Sequence, residues 1–570
     1  MAARVRNPGG GREGPGPTGG RTMRIGHIGH GKHRARALTA AALLLAGTVF
    51  GCTKDSGGGG SSGERAGAAA SGGSGSTAPS TAPSPSADPD RAPVTTAALP
   101  AALTGQKPRW SACKAPVKAD GMYAEKPGPR WQCATLKVPL DYTEPDGETL
   151  GIALIRSVAK DSGKRVGSLL FNFGGPGGSG VAALPGGDDI VKKFGGAYDL
   201  VSFDPRGVAE SSAVVCRDDK AIAASHRVDS TPDNPAEQRA FMAASTGFGA
   251  DCARRSGKVL PHVGTANTAR DMDLMRQVLG DAKLHYFGFS YGTELGGVYA
   301  HLFPEKVGRL AMDGVVDPTA DLARGTRNQA VGFQRALENY YKSRGIGAAE
   351  GTARTVKLLK RLDARPIPAG DGRALTEHMA RTGIIQSLYS EQYWPYLTDA
   401  LKAAEKGDGT ELLALADMYT GRDEKGRYST QDHAQRAISC ADSASRPTAA
   451  DVTSRHLADF TAVSPAFGPY LAWDVAGWCA GWPVDGAWEK PPVSAKGAAP
   501  ILVVGTTGDP ATPVEGAKKM ADGLGTGVGV LVTSKGENHG SYGFSKCATR
   551  VVDDYLLKGA VPRSGTVCSS

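Results

Sequence analysis

The 570-residue chain has no C-x-x-C pair, no H-E-x-x-H and no P-loop lysine pattern. Those absences leave no support for a zinc ribbon, a dithiol redox centre, a zincin-type metal site or nucleotide hydrolysis. No internal repeat stands out. The apolar run at residues 37–50 is 14 residues long, too short to span a bilayer as a mature helix. Net charge is also scarcer than it looks. The formal value is +9, but residues 1–51 carry eight Lys/Arg against one acid, Glu13, and without that segment about +2 remains. A chain so close to neutral gives no electrostatic footprint for nucleic acid. No metal or other cofactor is implied.

What is present begins with a leader. Arg24, Lys32, Arg34 and Arg36 precede the apolar run, the order of an export signal, and Met23 is an alternative start. Val49-Phe50-Gly51-Cys52 resembles a bacterial lipobox, which makes Cys52 the candidate lipidated residue of a signal covering residues 1–52. The alternative is an ordinary cleaved signal. Residues 53–107 run through GGGGSSG, ASGGSGS and TAPSTAPSPSADP, a composition that buries no core and reads as a tether. Such a lipid anchor would be the only contact with a membrane surface.

Beyond Cys52 there are eight cysteines, at 113, 133, 216, 252, 440, 479, 547 and 568. An even number in an exported chain suggests four disulfides. Eight cysteines allow 105 pairings; the sequential one, 113–133, 216–252, 440–479 and 547–568, keeps each bridge within one segment.

From Trp110 onward, short apolar runs alternate with helical spacing, as expected of a mainly parallel α/β sheet. Strands are predicted at 167–173, 198–203, 284–287, 309–313 and 499–504, and a helix at 268–279. Helical periodicity dominates between about 329 and 492, where strand runs are missing. Residues 108–328 and 493–570 therefore read as two parts of one core, with 329–492 inserted as a helical cap.

Gly288-Phe289-Ser290-Tyr291-Gly292 follows one of those strands and precedes a helix-like segment. A G-x-S-x-G at a strand-to-helix turn lifts a serine Oγ above the sheet edge, and the following amides face developing negative charge. A serine nucleophile needs a base and an acid, in the order Ser, Asp/Glu, His for this architecture. The strand at 500–504 leads to Asp509, and the run at 529–533 leads to His539, the one histidine beyond Asp509. The predicted triad is Ser290, Asp509 and His539. Asp313, after another strand, is a rival acid.

The oxyanion donors predicted are the amides of Tyr291 and of Gly175, with Gly174 next, in the loop Phe173-Gly-Gly-Pro-Gly-Gly-Ser-Gly180. The same loop matches G-x-G-x-x-G with Asp204 further on, a dinucleotide-binding pattern. Pro185-Gly186-Gly187 interrupts the long helix that fold requires, and the pattern leaves the Ser, Asp and His unexplained.

GGPGGSG, Phe203-Asp-Pro-Arg-Gly207, GFSYGTELGG, GDPATP and NHG together resemble the actinobacterial tripeptidyl aminopeptidase-like serine proteases, over roughly residues 108–568. These are α/β hydrolases related to prolyl iminopeptidases. The resemblance implies an α/β-hydrolase fold with a helical cap and an exported exopeptidase that removes short peptides, often tripeptides, from free N-termini. Prolyl iminopeptidases usually have His-Gly-Gly-Pro-Gly where this chain has Phe173-Gly-Gly-Pro-Gly, which argues against strict proline specificity. Carboxylates under the cap would bind the substrate ammonium. Glu391 and Asp442 are the candidates; the alternative is solvated surface acids. Glu294 complements a helix dipole, and Trp394 and Trp482 are core packing or pocket lining. An esterase using the same triad, or a non-catalytic solute-binding lipoprotein, are the other readings.

Overall fold

In the computed structural model, residues 99–114 and 127–569 are described. The leader, Cys52 and most of the tether lie outside the described residues. Ten strands form one sheet: β1 (Ser111–Ala112), β2 (Gln132–Pro139), β3 (Thr149–Ser157), β4 (Gly167–Asn172), β5 (Tyr198–Phe203), β6 (Leu284–Phe289), β7 (Val307–Asp313), β10 (Ile501–Thr506), β11 (Gly529–Ser534) and β12 (Thr566–Cys568). Their spatial order is β1-β2-β3-β5-β4-β6-β7-β10-β11-β12. Pairing is antiparallel from β1 to β5 through β3, and parallel from there to β12. This is the α/β-hydrolase sheet.

The sequence explains the layering. β4 (GSLLFN) and β10 (ILVVGT) are buried at every position, as parallel strands covered on both faces must be. Successive side chains enter opposite layers. Leu170, Tyr286, Leu310 and Val503 join Met272, Leu295 and Met520 on one face, while Phe171, Phe287, Ala311 and Val504 join Ile190, Val552 and Leu556 on the other. Towards the far edge, β11 alternates between buried and part-exposed residues.

Between β7 and β10 the chain is mostly helical, from Leu322–Ser343 to Gly468–Gly477. One departure from expectation is a small antiparallel hairpin there, β8 (Ile367–Pro368) and β9 (Ala374–Leu375), whose two-residue strands leave no apolar run to read. A second is that the cap has another contributor. The helix Pro235–Ser256, between β5 and β6, packs on it through Phe241 and Trp473 (ring centroids 5.8 Å).

A third correction concerns the tether, which ends before residue 107. Ala101–Thr104 forms a helical turn, Leu99 and Leu103 are buried in the core, and Gln106 bonds both backbone groups of Lys137 (2.7 and 2.9 Å). Leu99 lies before the Pro100 cap and Leu103 within the turn, and the alanines around them hide the signal.

All four sequential disulfides are present: Cys113–Cys133, Cys216–Cys252, Cys440–Cys479 and Cys547–Cys568. Such a set is characteristic of proteins that fold outside the reducing cytosol. Among the described residues no helix is long and apolar enough to cross a membrane.

Candidate active site

Ser290 sits at the turn between β6 and the helix Tyr291–Leu302 with φ 55° and ψ −124°. A non-glycine residue held there costs on the order of 1–3 kcal/mol and persists only where its surroundings enforce it. They do. The Ser290 N–H donates to the Asp313 carbonyl (3.0 Å), and the Thr293 N–H and hydroxyl donate to the Ser290 carbonyl (2.8 and 2.6 Å). The flanking glycines permit the turn: a Cβ on Gly288 would lie 2.4 Å from the Gly292 carbonyl oxygen. The glycine loop after β4 lies against this elbow, since a Cβ on Gly174 would come within 2.8 Å of the Ser290 Cβ.

Asp509 and His539 come from the loops after β10 and β11. His539 Nδ1 is 2.9 and 3.0 Å from the two Asp509 oxygens. That carboxylate is itself fixed by the N–H groups of Ala511 (3.0 Å), Thr512 (2.8 Å) and Gly540 (2.9 Å). The Thr512 hydroxyl is 3.2 Å from the same ring nitrogen. Burial works against the charged imidazole, but the field and hydrogen bond of Asp509, with a contribution from Asp313, outweigh it and raise the His539 pKa above 6.5. Tyr389 closes the other side: its carbonyl accepts the His539 N–H (2.8 Å), and its ring meets the imidazole edge-on at 5.4 Å.

The rival acid, Asp313, makes no hydrogen bond with His539. Its oxygens accept the N–H groups of Gly314 (2.9 Å), Ser541 (3.0 and 2.8 Å) and Tyr542 (2.7 Å).

Of the two glycines considered for the oxyanion, Gly174 has its N–H engaged by Asn172 Oδ1 (3.0 Å). Neither the Gly175 nor the Tyr291 N–H donates to a backbone or side-chain acceptor among the described residues. The dinucleotide pattern in this loop serves a different purpose. Gly180 opens a helix of only four residues, and the Asp204 carboxylate accepts Ser179 Oγ (2.6 Å) and the N–H groups of Val181 and Glu210 (both 3.1 Å).

The acids expected to meet a substrate ammonium separate. Glu391 is exposed on a short 3-10 turn. Asp442 is buried at the end of the helix Gln431–Asp442, where it accepts the Thr265 N–H (2.8 Å) and hydroxyl (2.6 Å). Since Thr265 donates to Asp442, the Tyr291 phenol donates to Thr265 Oγ1 (2.5 Å). Burial pushes the Asp442 carboxyl up to about 7, against the bonds from Thr265. It pushes Glu294 up to about 8, with the Asp442 charge adding to it. Trp394 and Trp482 are buried with their ring N–H groups unpartnered, as packing residues.

Sequence reasoning missed the groups that hang from the cap. The Gln431 carbonyl would lie 2.6 Å from a Cβ on Gly177, and Gln435 Nε2 reaches the Gly175 carbonyl (3.4 Å), so this helix rests its first turns on the glycine loop after β4. Tyr419 is hydrogen-bonded to Tyr389 and feels the charges of Asp432 and Asp474. Asp474 is part-exposed and has no hydrogen bond or ion pair among the described residues. Burial pushes it up to about 7, countered by Arg436, whose own N–H groups go to the carbonyls of Gly477 and Trp478. No signal in the sequence marked Asp474, because its position depends on how three cap helices meet.

A second acidic group, Asp229, Asp363 and Glu377, lies in the cap region with oxygens near enough to share a cation. Glu377 is already paired with Arg381 and Thr231, and Asp229 with the Thr231 N–H (2.8 Å).

Comparison with known proteins agrees with this architecture. Residues 464–568 match the family model described as TAP-like protein. The chain is 37% identical over 488 residues to serine protease Hip1 of Mycobacterium tuberculosis, covering 81% of this chain and 91% of that one. It is 35% identical over 460 residues to carboxylesterase B of the same species (77% and 86% covered). It is 31% identical over 459 residues to the tripeptidyl aminopeptidase of Streptomyces coelicolor (77% and 83% covered). The chain thus belongs to the TAP-like family of α/β-hydrolase serine peptidases and is a serine hydrolase.

Proposed function

We propose that the protein is an exported serine exopeptidase that hydrolyses peptide bonds near free N-termini and releases tripeptides. The observation that carries the chemistry is the His539 imidazole bound through Nδ1 to Asp509 (2.9 Å); Ser290, held at φ 55°, makes no hydrogen bond with that imidazole among the described residues and is tied to the His539 loop through Asp313. With Nδ1 so engaged, Nε2 is left to take the Ser290 proton. Ser290 Oγ attacks the carbonyl carbon, and the amides of Tyr291 and Gly175 hold the oxyanion. His539 returns the proton to the leaving amine as the C–N bond breaks. Water, activated by the same imidazole, then hydrolyses the acyl-enzyme.

The exopeptidase part rests on the name of the Streptomyces relative and on the cap. An ammonium buried under the cap needs a carboxylate that is desolvated and free. Glu391 is solvated and Asp442 is engaged by Thr265, so Asp474 is assigned that role in preference, with the Tyr419 and Tyr470 rings beside it. The second reading, an esterase, is favoured by the carboxylesterase relative alone. Export draws support from the four disulfides and the leader; a lipid on Cys52 remains part of the proposal.

A panel of substrates decides between the readings: peptides of one to four residues before the scissile bond, with free or acetylated N-termini, beside simple esters. Free tripeptides are expected to give the highest kcat/KM. Equal cleavage of acetylated peptides ends the exopeptidase reading, and cleavage of esters alone ends the peptidase one.

A further inference from the structure

We propose that Asp313, at the end of β7, is a positioning residue of the reaction: it joins the Ser290 elbow to the His539 loop and holds a second negative charge beside the imidazole. The proposal rests on the Ser290–His539–Asp509 reading. Two halves of the site meet on this one residue. Its carbonyl accepts the Ser290 N–H (3.0 Å), which helps hold the nucleophile in its uncommon backbone conformation. Its carboxylate accepts the N–H groups of Ser541 and Tyr542, two and three residues beyond His539, and that of Gly314.

The residue is 1% exposed. A buried carboxyl with N–H groups on both oxygens is an acceptor-only site, and an amide in its place would turn N–H against N–H. The loop has closed tightly around it. Gly540, at φ 81°, would bring a Cβ within 3.2 Å of Asp313 Oδ2. On the other side, a Cβ on Gly314 would lie 3.2 Å from His539 Cε1.

The charged groups facing Asp313 are Asp509 and His539. Burial raises its carboxyl to about 6, opposed by the Tyr542 and Ser541 amides, then raised further by Asp509 and lowered by His539. In return the Asp313 anion adds to the field that raises His539. Asp509 orients the imidazole by direct contact; Asp313 fixes the loop that carries it and favours the imidazolium formed when Ser290 loses its proton.

The test is Asp313→Asn, measured beside Asp509→Asn on a peptide substrate across pH. Asp313→Asn is expected to lower kcat ~10–100-fold at unchanged KM, the usual range for a supporting hydrogen-bond partner. The acid limb of kcat/KM is expected to move to lower pH, because removing an anion destabilises the imidazolium. Wild-type kcat, or an unmoved limb, overturns the proposal. Gly540→Ala presses on the same carboxylate without removing its charge, and is expected to lower kcat with the limb unmoved. It keeps the positional claim testable should Asp313→Asn not fold, and wild-type kcat in it overturns that claim. A deep loss in Asp313→Asn with a mild one in Asp509→Asn would make Asp313 the triad acid. Full activity in Ser290→Ala would fail the underlying reading instead, independently of Asp313.

Discussion

Asp509 and Asp313, at the strand ends, have their oxygens filled by backbone N–H groups and the His539 ring. Asp474, on the cap, and Glu294, one turn beyond the nucleophile, have no hydrogen bond or ion pair among the described residues. The first pair is a finished piece of electrostatics, fixed by the sheet before any substrate arrives, which is what catalysis by preorganised dipoles requires. The second set carries a desolvation cost that Arg436 offsets only in part at Asp474, and a cation from outside would relieve it. On the function proposed, the first region acts on a substrate and the second recognises one.

Substitutions separate the two by size and by kind of effect. The largest belongs to the nucleophile. Ser290→Ala is expected to lower kcat by about 10⁶ with little change in KM; a loss below tenfold would remove Ser290 from the chemistry. Next comes Asp509→Asn, which leaves the ring in place but in the wrong tautomer and should lower kcat by about 10⁴. In the wild type, kcat/KM should fall as pH drops through a value above 6.5, since His539 must be neutral to act and its pKa is raised. Asp509→Asn should move that limb to lower pH.

The cap is expected to respond differently. Asp474→Asn should lower kcat/KM on free N-terminal peptides by ~10–100-fold, the range for a lost charged hydrogen bond. Acetylated substrates, which bring no ammonium, should be cleaved as before. An equal loss on both would make this acid structural. The smallest effect is that of Glu294→Gln. A carboxyl raised to about 8 when folded stabilises the fold below its unfolded value of 4.5, and loses that contribution as pH rises through the folded value. The variant should therefore melt higher than wild type at about pH 9, and not at about pH 5. A lower melting temperature at alkaline pH would contradict this sign.

The Ser290 elbow and the Asp509–His539 pair were legible in the sequence because each part is local. An elbow is five consecutive residues, and Asp509 and His539 each follow a strand that reads as one. The disulfides were legible for the same reason, their partners lying at most 39 residues apart. The cap was not. Asp442 looked like a free acid in an inserted helix, but it binds the first turn of a helix 177 residues earlier. Glu391 sits three residues after Leu388, the end of a helix, on a turn that faces solvent. Asp474 becomes notable only once Arg436 is seen to bond carbonyls in place of it. Asp313 was visible as an acid after a strand; that its partners are Ser541 and Tyr542 follows from sheet order, which brings β7 beside β10 and β10 beside β11. Leu99 and Leu103 were masked by an alanine-rich composition that resembled the tether.

The most direct test of the account is to treat the folded protein with a fluorophosphonate and map the modified peptide by mass spectrometry. The account predicts one adduct, on Ser290, formed in the wild type, absent in Ser290→Ala and strongly slowed in Asp509→Asn. An adduct on another residue, or labelling unchanged in Ser290→Ala, would contradict it.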